Sequence, residues 1–294
     1  MVNKANIANP GASAAAIQYH YDIGNDFYHL WLDPTKTYTC ALWDSATDIE
    51  QAQIAKLDYH IQEARASHSK RVLDIGCGWG CALHRLVTAA NAEQAVGLTL
   101  SRSQAAYIRA QSWPGVTVLL ESWSDHRPAQ PYDSIISIGA FEHFTRPDLT
   151  QAEKIEAYRS FFSLCKQWLK PGGWMSLQTI TNETASRQDF HPFIAKEIWP
   201  ETDLPRLADI AMACEQNFEI YRLRNDREDY VRTLRAWLDR LQECRSDAIR
   251  IAGEETVHRF ERWFKLSIMG FHKGSMGLMR VTLRRINDAA AGKH

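Results

Sequence analysis

One acidic residue and three glycines stand close together in segment 72–80, where an apolar strand is predicted to run into a tight turn. Glycines at Gly76, Gly78 and Gly80 allow the backbone to adopt left-handed conformations and to approach a ligand closely. A helix is predicted to follow at once, and its N-terminal N–H groups would face a polar part of that ligand. These features predict a nucleotide-type site at the end of a βα unit.

The spacing of the glycines indicates which nucleotide is bound. A dinucleotide fingerprint has the pattern G-x-G-x-x-G, but Cys81 occupies the position of its third glycine. Asp74 precedes the turn, where a carboxylate would repel a pyrophosphate and attract an ammonium or sulfonium group. We therefore predict an S-adenosylmethionine (AdoMet) site at Asp74 and the glycines, rather than a NAD site. A glycine-rich turn without a ligand is the less favoured alternative.

The composition is that of an ordinary globular protein, with 45% hydrophobic and 23% charged residues among 294 and a formal net charge of −1. This balance argues against binding to nucleic acid or to an anionic membrane surface. No apolar run approaches the ~18 residues of a membrane span, and segment 1–16 lacks the apolar core of a signal peptide. We therefore expect a cytoplasmic location. The cysteines and histidines show no paired ligand spacing, so no metal is predicted.

Strand and helix patterns alternate after the turn. This alternation predicts an α/β fold with a doubly wound, mostly parallel sheet of about seven strands. Strands are predicted at 72–75, 95–100, 116–120, 134–138, 174–181, 218–223 and 277–284.

Two further regions are expected to cover the site. Residues 1–66, with apolar residues at helical spacing from residue 13, are predicted to form an N-terminal helical cap on an AdoMet-binding core at 67–294. Aromatic-rich segments 182–205 and 225–273 interrupt the strand–helix alternation, so they are predicted to form a lid over an apolar substrate pocket. Packing into the main core is the alternative for any one of these aromatic residues.

Several motifs resemble a known family. The segments H-Y-D-I-G-N-D-F-Y at 20–28, T-Y-T-C at 37–40 and G-A-F-E-H-F at 139–144 are similar to the signatures of cyclopropane-fatty-acid synthases and mycolic acid methyltransferases. The resemblance extends over roughly residues 17–285 and implies a Rossmann-like class I methyltransferase fold. It also implies a set of residues that hold AdoMet in addition to the turn: Tyr38, Thr39, Thr99, Leu100, Gln104, Ser122, Trp123 and Ile138. The acidic residue that usually follows the family's adenine-side tryptophan is replaced by Ser124.

The sulfonium of AdoMet suggests the reaction class. Its methyl group is electrophilic, so a π bond or a lone pair can attack it when held in line. Attack by an alkene leaves a carbocation, which cation–π attraction to an aromatic face can stabilise by ~0.5–2 kcal/mol per ring. Tyr21, Phe141 and Tyr230 are the candidates for this role, and Phe141 and Trp199 are also expected to line the substrate pocket.

The cation must then lose a proton to a buried base. The resemblance implies that this base is a bound bicarbonate, held by the backbone of Cys40, by Glu142 and Tyr230, and by the carbonyl of Ile138. A histidine of the family pattern is replaced by Gln178, which can donate hydrogen bonds to an anion but cannot become cationic. We expect weaker bicarbonate binding for this reason, and ring closure is the step affected.

Glu142 and His143 also admit another role. In N-methyltransferases that resemble the plant coclaurine enzymes, a Glu-His pair at this place takes the proton from a substrate amine. Cys40 could be read as a nucleophile, but methyl transfer from AdoMet needs none.

Three hypotheses follow. The first is methyl transfer to a carbon of a hydrophobic, lipid-like or natural-product substrate. The second is C- or N-methylation of a small aromatic or amine metabolite with Glu142, and His143 beside it, as base. The third is a non-catalytic AdoMet-binding protein, which the intact Asp74 and Glu142 disfavour. A homodimer is compatible with the sequence.

Overall fold

The computed structural model describes residues 11–21, 23–184, 193, 197–199 and 201–287. Within these residues seven strands form one sheet in the order β3-β2-β1-β4-β5-β7-β6. The strands are β1 Arg71–Ile75, β2 Gln94–Thr99, β3 Val116–Leu120, β4 Tyr132–Ile138, β5 Leu169–Asn182, β6 Phe218–Asn225 and β7 Met276–Arg285.

The strand pairing confirms the predicted mostly parallel sheet. In the centre, Val72 of β1 lies opposite Ala95 of β2 and Ser134 of β4, in parallel register. Only β7 runs antiparallel among the described strands, between β5 and β6, with Arg280 opposite Gln178. Because the other strands share one direction, their carboxyl ends meet at one edge, where ligand sites of such sheets lie.

Helices cover the sheet on both faces. Leu73 of β1 lies in a core with Phe161 and Ile210 from the helices on one face. Its neighbour Val72 points the other way, as alternate strand residues must, and packs with Leu57. The helices are α1 Ala14–Tyr21, α2 Asn25–Trp31, α3 Ile49–Glu63, α4 Cys81–Thr88, α5 Arg102–Gln111, α6 Gln151–Trp168, α7 Leu207–Cys214, α8 Arg227–Glu243, α9 Arg245–Ala252 and α10 Glu254–His272.

A third cluster lies over the carboxyl edge of the sheet. It joins residues of α2, such as Phe27 and Trp31, to residues of α8 and α10, such as Trp237 and Phe260. Trp79 from the glycine turn belongs to the same cluster. We call this the aromatic cap; the helix α3, by contrast, packs on the sheet through residues such as Leu57.

Two predicted elements have different bounds. The helical pattern from residue 13 to residue 66 is predicted with a turn at Asp33-Pro34; the turn is present, but the break is longer and extends from Trp31 to Ile49. There Asp33 accepts a hydrogen bond from the Thr35 N–H and so forms a turn, and Asp48 caps α3. Strand β5 begins at Leu169 rather than 174.

The lid segment predicted at 182–205 falls partly outside the described residues, at 185–192, 194–196 and 200, as does residue 22 of the H-Y-D motif. In the part that the structure describes, no helix combines the length and apolar character needed to cross a membrane.

Candidate active site

The glycine turn between β1 and α4 forms the floor of a cleft. Gly76, Gly78 and Gly80 all have left-handed φ angles, of 82°, 53° and 83°. A Cβ atom on Gly76 would lie 2.3 Å from the Cβ atom of Ala140, so only glycine fits there. A Cβ atom on Gly78 would meet nothing within 4 Å, because that position faces open space. The turn therefore leaves room directly above the end of β1.

That space consists of two adjoining halves, one larger than the other. Both halves are lined by Tyr21, Gly76, Gly78, Gln104 and Gly139. Among the predicted cofactor residues, Thr99, Leu100, Ser122 and Trp123 line the larger half and Tyr38, Thr39, Asp74 and Ile138 line the smaller half. Gly80 serves the turn instead, since it precedes α4 and its α-carbon faces Ile108.

The larger half has polar groups held in place by short-range hydrogen bonds. The Thr99 hydroxyl donates to Gln104 Oε1 at 2.8 Å and accepts from the Ser101 N–H at 3.1 Å. Glu121, which the sequence reasoning missed, also lines this half and lies 2.6 Å from His126 Nδ1. An acidic residue thus does flank Trp123, two positions before it rather than one after. Its place directly after the end of β3 is the signal that could have found it.

The smaller half contains one buried acid and one buried base. Asp74 is 3% exposed, and burial raises the pKa of its carboxyl group to about 7. Lys56, on α3, lines the same space. The sequence reasoning missed this lysine because it used only the apolar stripe of α3. A polar stripe at helical spacing runs beside it and could have been noticed: Gln53, Lys56, His60 and Glu63, all buried.

Glu142 lies just beyond the end of β4, in a single 3₁₀ turn at Phe141–His143. Its Oε1 atom accepts a hydrogen bond from the Ile180 N–H at 2.6 Å. Its Oε2 atom is buried and has no hydrogen-bond partner among the described residues. Burial raises the pKa of Glu142 to about 7. A carboxyl group in this state can hold or release a proton near neutral pH.

Tyr21 and Tyr230 lie close to this carboxyl group, and Cys40 lies close to Tyr230. Burial and then the nearby Glu142 raise the pKa of Tyr21, and burial, Cys40 and Glu142 raise that of Tyr230. Burial raises the pKa of the Cys40 thiol to about 12, and its S–H faces the Ala41 carbonyl at 3.2 Å. A thiol that stays protonated is no nucleophile, which agrees with a backbone role for Cys40.

Gln178 is held by two donors. Arg280 Nε donates to Gln178 Oε1 at 3.0 Å, and His60 Nε2 lies 3.3 Å from the same oxygen. Because a guanidinium only donates, the atom that faces it must be the carbonyl oxygen. The amide nitrogen of Gln178 is therefore the part left to donate elsewhere. Arg280 also donates to the carbonyls of Ala41 and Cys40, at 3.0 and 3.4 Å, and pairs with Asp226.

His143 occupies the edge of the larger half of the cleft. Its Nδ1 atom lies 2.8 Å from the Thr202 hydroxyl, and its ring lies 5.1 Å from that of Trp199. Burial lowers the pKa of His143 to about 4, so the ring is neutral and weakly basic near pH 7.

The two residues predicted to line the substrate pocket lie in different places. Trp199 contacts the aromatic cap, with its ring 6.1 Å from that of Tyr21 and 6.0 Å from that of Trp263. Phe141, however, is fully buried in the core beneath α6 and stacks on Tyr158 at 4.4 Å. The prediction for Phe141 is wrong, because the 3₁₀ turn directs this side chain into the core while the neighbouring Glu142 faces Ile180.

Within the described residues, no group of three or more His, Cys, Asp or Glu side chains is arranged to hold a metal ion. All six cysteines are free.

Comparison with known proteins identifies the family. The pattern of the family described as "Mycolic acid cyclopropane synthetase" matches residues 9–281. The cyclopropane mycolic acid synthase MmaA2 of Mycobacterium tuberculosis is 33% identical over 288 residues, covering 92% of this chain and 96% of that protein. The chain belongs to the mycolic acid cyclopropane synthetase family. The resemblance drawn from the sequence motifs is thereby confirmed, and so is the expectation of an AdoMet-dependent, methyltransferase-type enzyme.

Solved structures agree with this membership. The structure of the mycolic acid cyclopropane synthase CmaA1, complexed with SAH and CTAB, aligns with a TM-score of 0.84 at 31% identity, covering 94% of this chain and 99% of that one. A coclaurine N-methyltransferase bound to N-methylheliamine and SAH aligns with a TM-score of 0.78 at 20% identity, covering 95% and 84%. The second likeness, at 20% identity, shows the shared fold.

Proposed function

We propose that this enzyme transfers a methyl group from AdoMet to a carbon of a hydrophobic, lipid-like substrate, as the cyclopropane synthases do. The observation that carries the proposal is the buried Glu142, which has one oxygen without a partner among the described residues and lies close enough to Tyr21 and Tyr230 to raise the pKa of both. A base in a water-poor, aromatic surrounding suits a reaction that creates a cation and then removes a proton from it.

The residues of the cleft fit AdoMet. Gly76 and Gly78 keep the floor clear, and Asp74 places a carboxyl group where the donor's positive charge would lie. Thr99, Gln104 and Trp123 would hold the adenosine end, and Tyr38 and Thr39 the methionine end. The SAH complex of CmaA1 supports AdoMet as the cofactor. When bound, AdoMet supplies an electrophilic methyl group.

The chain's own residues supply the surroundings of the reaction. Tyr21 and Tyr230 present buried rings that exclude water and favour a cation over their faces. Glu142 takes up a proton, either directly or through a bound base. We infer that bicarbonate would fit as that base, with Glu142, Tyr230, the amide nitrogen of Gln178 and the backbone of Cys40 around it. The orphaned Oε2 atom of Glu142 would then accept the hydrogen bond of the bicarbonate hydroxyl.

The aromatic cap supports a hydrophobic substrate. Helices α2, α8 and α10 bring apolar side chains over the carboxyl edge of the sheet, next to Tyr21 and Tyr230. We infer that residues 225–273 and the described part of 182–205 act as the lid of the substrate pocket. The CTAB bound to CmaA1 is a detergent with a long alkyl chain, in line with this reading.

A second candidate is methylation of a small amine or aromatic metabolite. It is favoured by Gln178, which leaves the base site without the family's histidine. In that reaction Glu142 is the better base, since its pKa lies near 7 and that of His143 near 4.

Lipid analysis tests the proposal. Cells that express the protein should contain unsaturated acyl lipids that have gained one CH₂ unit, detected by mass spectrometry. Glu142→Ala should abolish this product while AdoMet binding by calorimetry persists, and the exposed Glu50→Ala should change neither. The purified enzyme should also be stimulated by added bicarbonate. Unchanged lipids together with normal AdoMet binding would contradict a lipid substrate and favour the second candidate.

A further inference from the structure

Lys56 presents an ammonium group to the smaller half of the cleft without a carboxylate at its side. The residue is 1% exposed, and its Nζ atom donates a hydrogen bond to Thr39 Oγ1 at 2.9 Å. No ion pair joins Lys56 to any acidic residue in the part of the chain that the structure describes. An ammonium carries three N–H donors. A buried charge is stable only when it is paired or fully hydrogen-bonded, so this cation is suited to an anionic ligand.

The surroundings of Lys56 show which kind of ligand fits. Asp74 lines the same half of the cleft, close enough for Lys56 to lower its pKa but not paired with it. Asp74 on β1 and Lys56 on α3 thus face the same space from two different elements. A free α-amino acid group carries an ammonium and a carboxylate side by side, and it matches both charges at once.

The elements around Lys56 hold it in place. Gln53, one turn earlier on α3, donates to the Thr39 carbonyl at 2.8 Å, so α3 is fixed to the segment that carries Thr39. Charged and titratable neighbours of Lys56 come from several elements: Asp33, Cys40, Cys81 and Arg280. Burial lowers the pKa of Lys56 to about 8, and a bound carboxylate would raise it again. An added negative charge would therefore stabilise the charged form of Lys56.

We propose that Lys56 binds the carboxylate at the amino-acid end of AdoMet, while Asp74 attracts the ammonium group of the same end. The identity of the donor rests on the proposed function. The assignment of Lys56 rests on its burial, on the absence of an ion pair to it within the described residues and on the Asp74 carboxyl group that lines the same space. It adds a cofactor-binding residue on α3 to those on the glycine turn.

Calorimetry with two donors tests the assignment. AdoMet and decarboxylated AdoMet share the sulfonium and the adenosine and differ in the carboxylate. Lys56→Met should weaken AdoMet binding by about 10- to 100-fold, because a charge-assisted hydrogen bond is lost. The same variant should bind decarboxylated AdoMet as tightly as the wild type does. Lys70→Met, which removes an exposed lysine, should leave both affinities unchanged.

Each other outcome is decisive. Equal losses for the two ligands would show that Lys56 supports the fold and would overturn the assignment, as would an unchanged affinity for AdoMet. Unchanged binding of decarboxylated AdoMet to Lys56→Met serves as the check that the variant is folded. A wild type that binds neither ligand would overturn the proposed function, and the assignment of Lys56 with it.

Discussion

Glu142 and Asp74 are acids in surroundings that favour their uncharged forms. Burial raises the pKa of each to about 7, from ordinary values of 4.5 and 3.8. When the pKa of an acid is higher in the folded than in the unfolded state, its ionisation lowers the free energy of unfolding. Its unfavourable contribution appears as the pH rises from the unfolded value to about 7. Both side chains are therefore retained at a cost in stability, which is common at active sites.

Replacing Glu142 by glutamine should remove this cost. We expect Glu142→Gln to raise the free energy of unfolding at pH 8 by about 3 kcal/mol at most. At pH 4, where the wild-type carboxyl group is protonated in both states, the difference should nearly vanish. Urea unfolding at the two pH values measures it. A stabilisation equal at both pH values would show that ionisation of Glu142 is not its cause.

At the scale of elements, two glycines of the turn are needed for different reasons. Gly76 is fixed by its approach to Ala140, which is a matter of packing. Gly78 has free space above it and a left-handed φ of 53°. Gly172, near the start of β5, is also left-handed, with a φ of 75°. Neither would contact another atom through an added Cβ, but only Gly78 faces the cleft.

This pair provides a matched test of the cleft. Gly78→Val and Gly172→Val should both lose stability, each by about 1–2 kcal/mol, because a β-branched residue is strained in the left-handed region. Only Gly78→Val should abolish AdoMet binding in calorimetry, since its side chain would occupy the cleft. Loss of binding in both variants would contradict this placement of the donor.

Local patterns in the sequence were enough for the elements and for most of the residues that line the cleft. The strands, and the residues that follow them, could be predicted because an apolar run and a glycine turn fix which side chains meet at one edge of the sheet. Arg280 could not be found in this way, and Lys56 only as one member of the polar stripe on α3. Their partners, Thr39 and Gln178, lie 17 and 102 positions away, and only the fold shows that these cations are buried. The 3₁₀ turn that directs the side chains of Phe141 and Glu142 to different places could not be predicted from a local pattern either.

At the scale of the whole molecule, the aromatic cap joins the two ends of the described chain. Trp31 of α2 is fully buried, and its ring lies 5.3 Å from that of Phe264, 5.8 Å from that of Trp237 and 5.2 Å from that of Tyr38. Tyr38 also lines the cleft. Packing in the cap is thus coupled directly to the wall of the cofactor site.

Trp31 allows this coupling to be measured. Its Nε1 atom is buried without a hydrogen-bond partner in the described residues, so only the bulk of the ring holds the cap. Trp31→Ala should lower the free energy of unfolding by about 3–5 kcal/mol and weaken AdoMet binding. Trp31→Phe keeps most of the ring and removes the unpaired donor, so its loss should be much smaller. The exposed Met269→Ala serves as the surface control. Equal losses for the Ala and Phe variants would contradict this account.

The position of β7 has a consequence for how the protein is made. This strand lies between β5 and β6 yet follows both along the chain, after α8, α9 and α10. On the ribosome, β5 and β6 therefore emerge with nothing between them, and their unpaired edges await the final strand. Helices α8–α10 precede β7, so they must pack across the carboxyl edge as β7 enters the sheet. Formation of the aromatic cap and completion of the sheet are therefore expected together, late in synthesis.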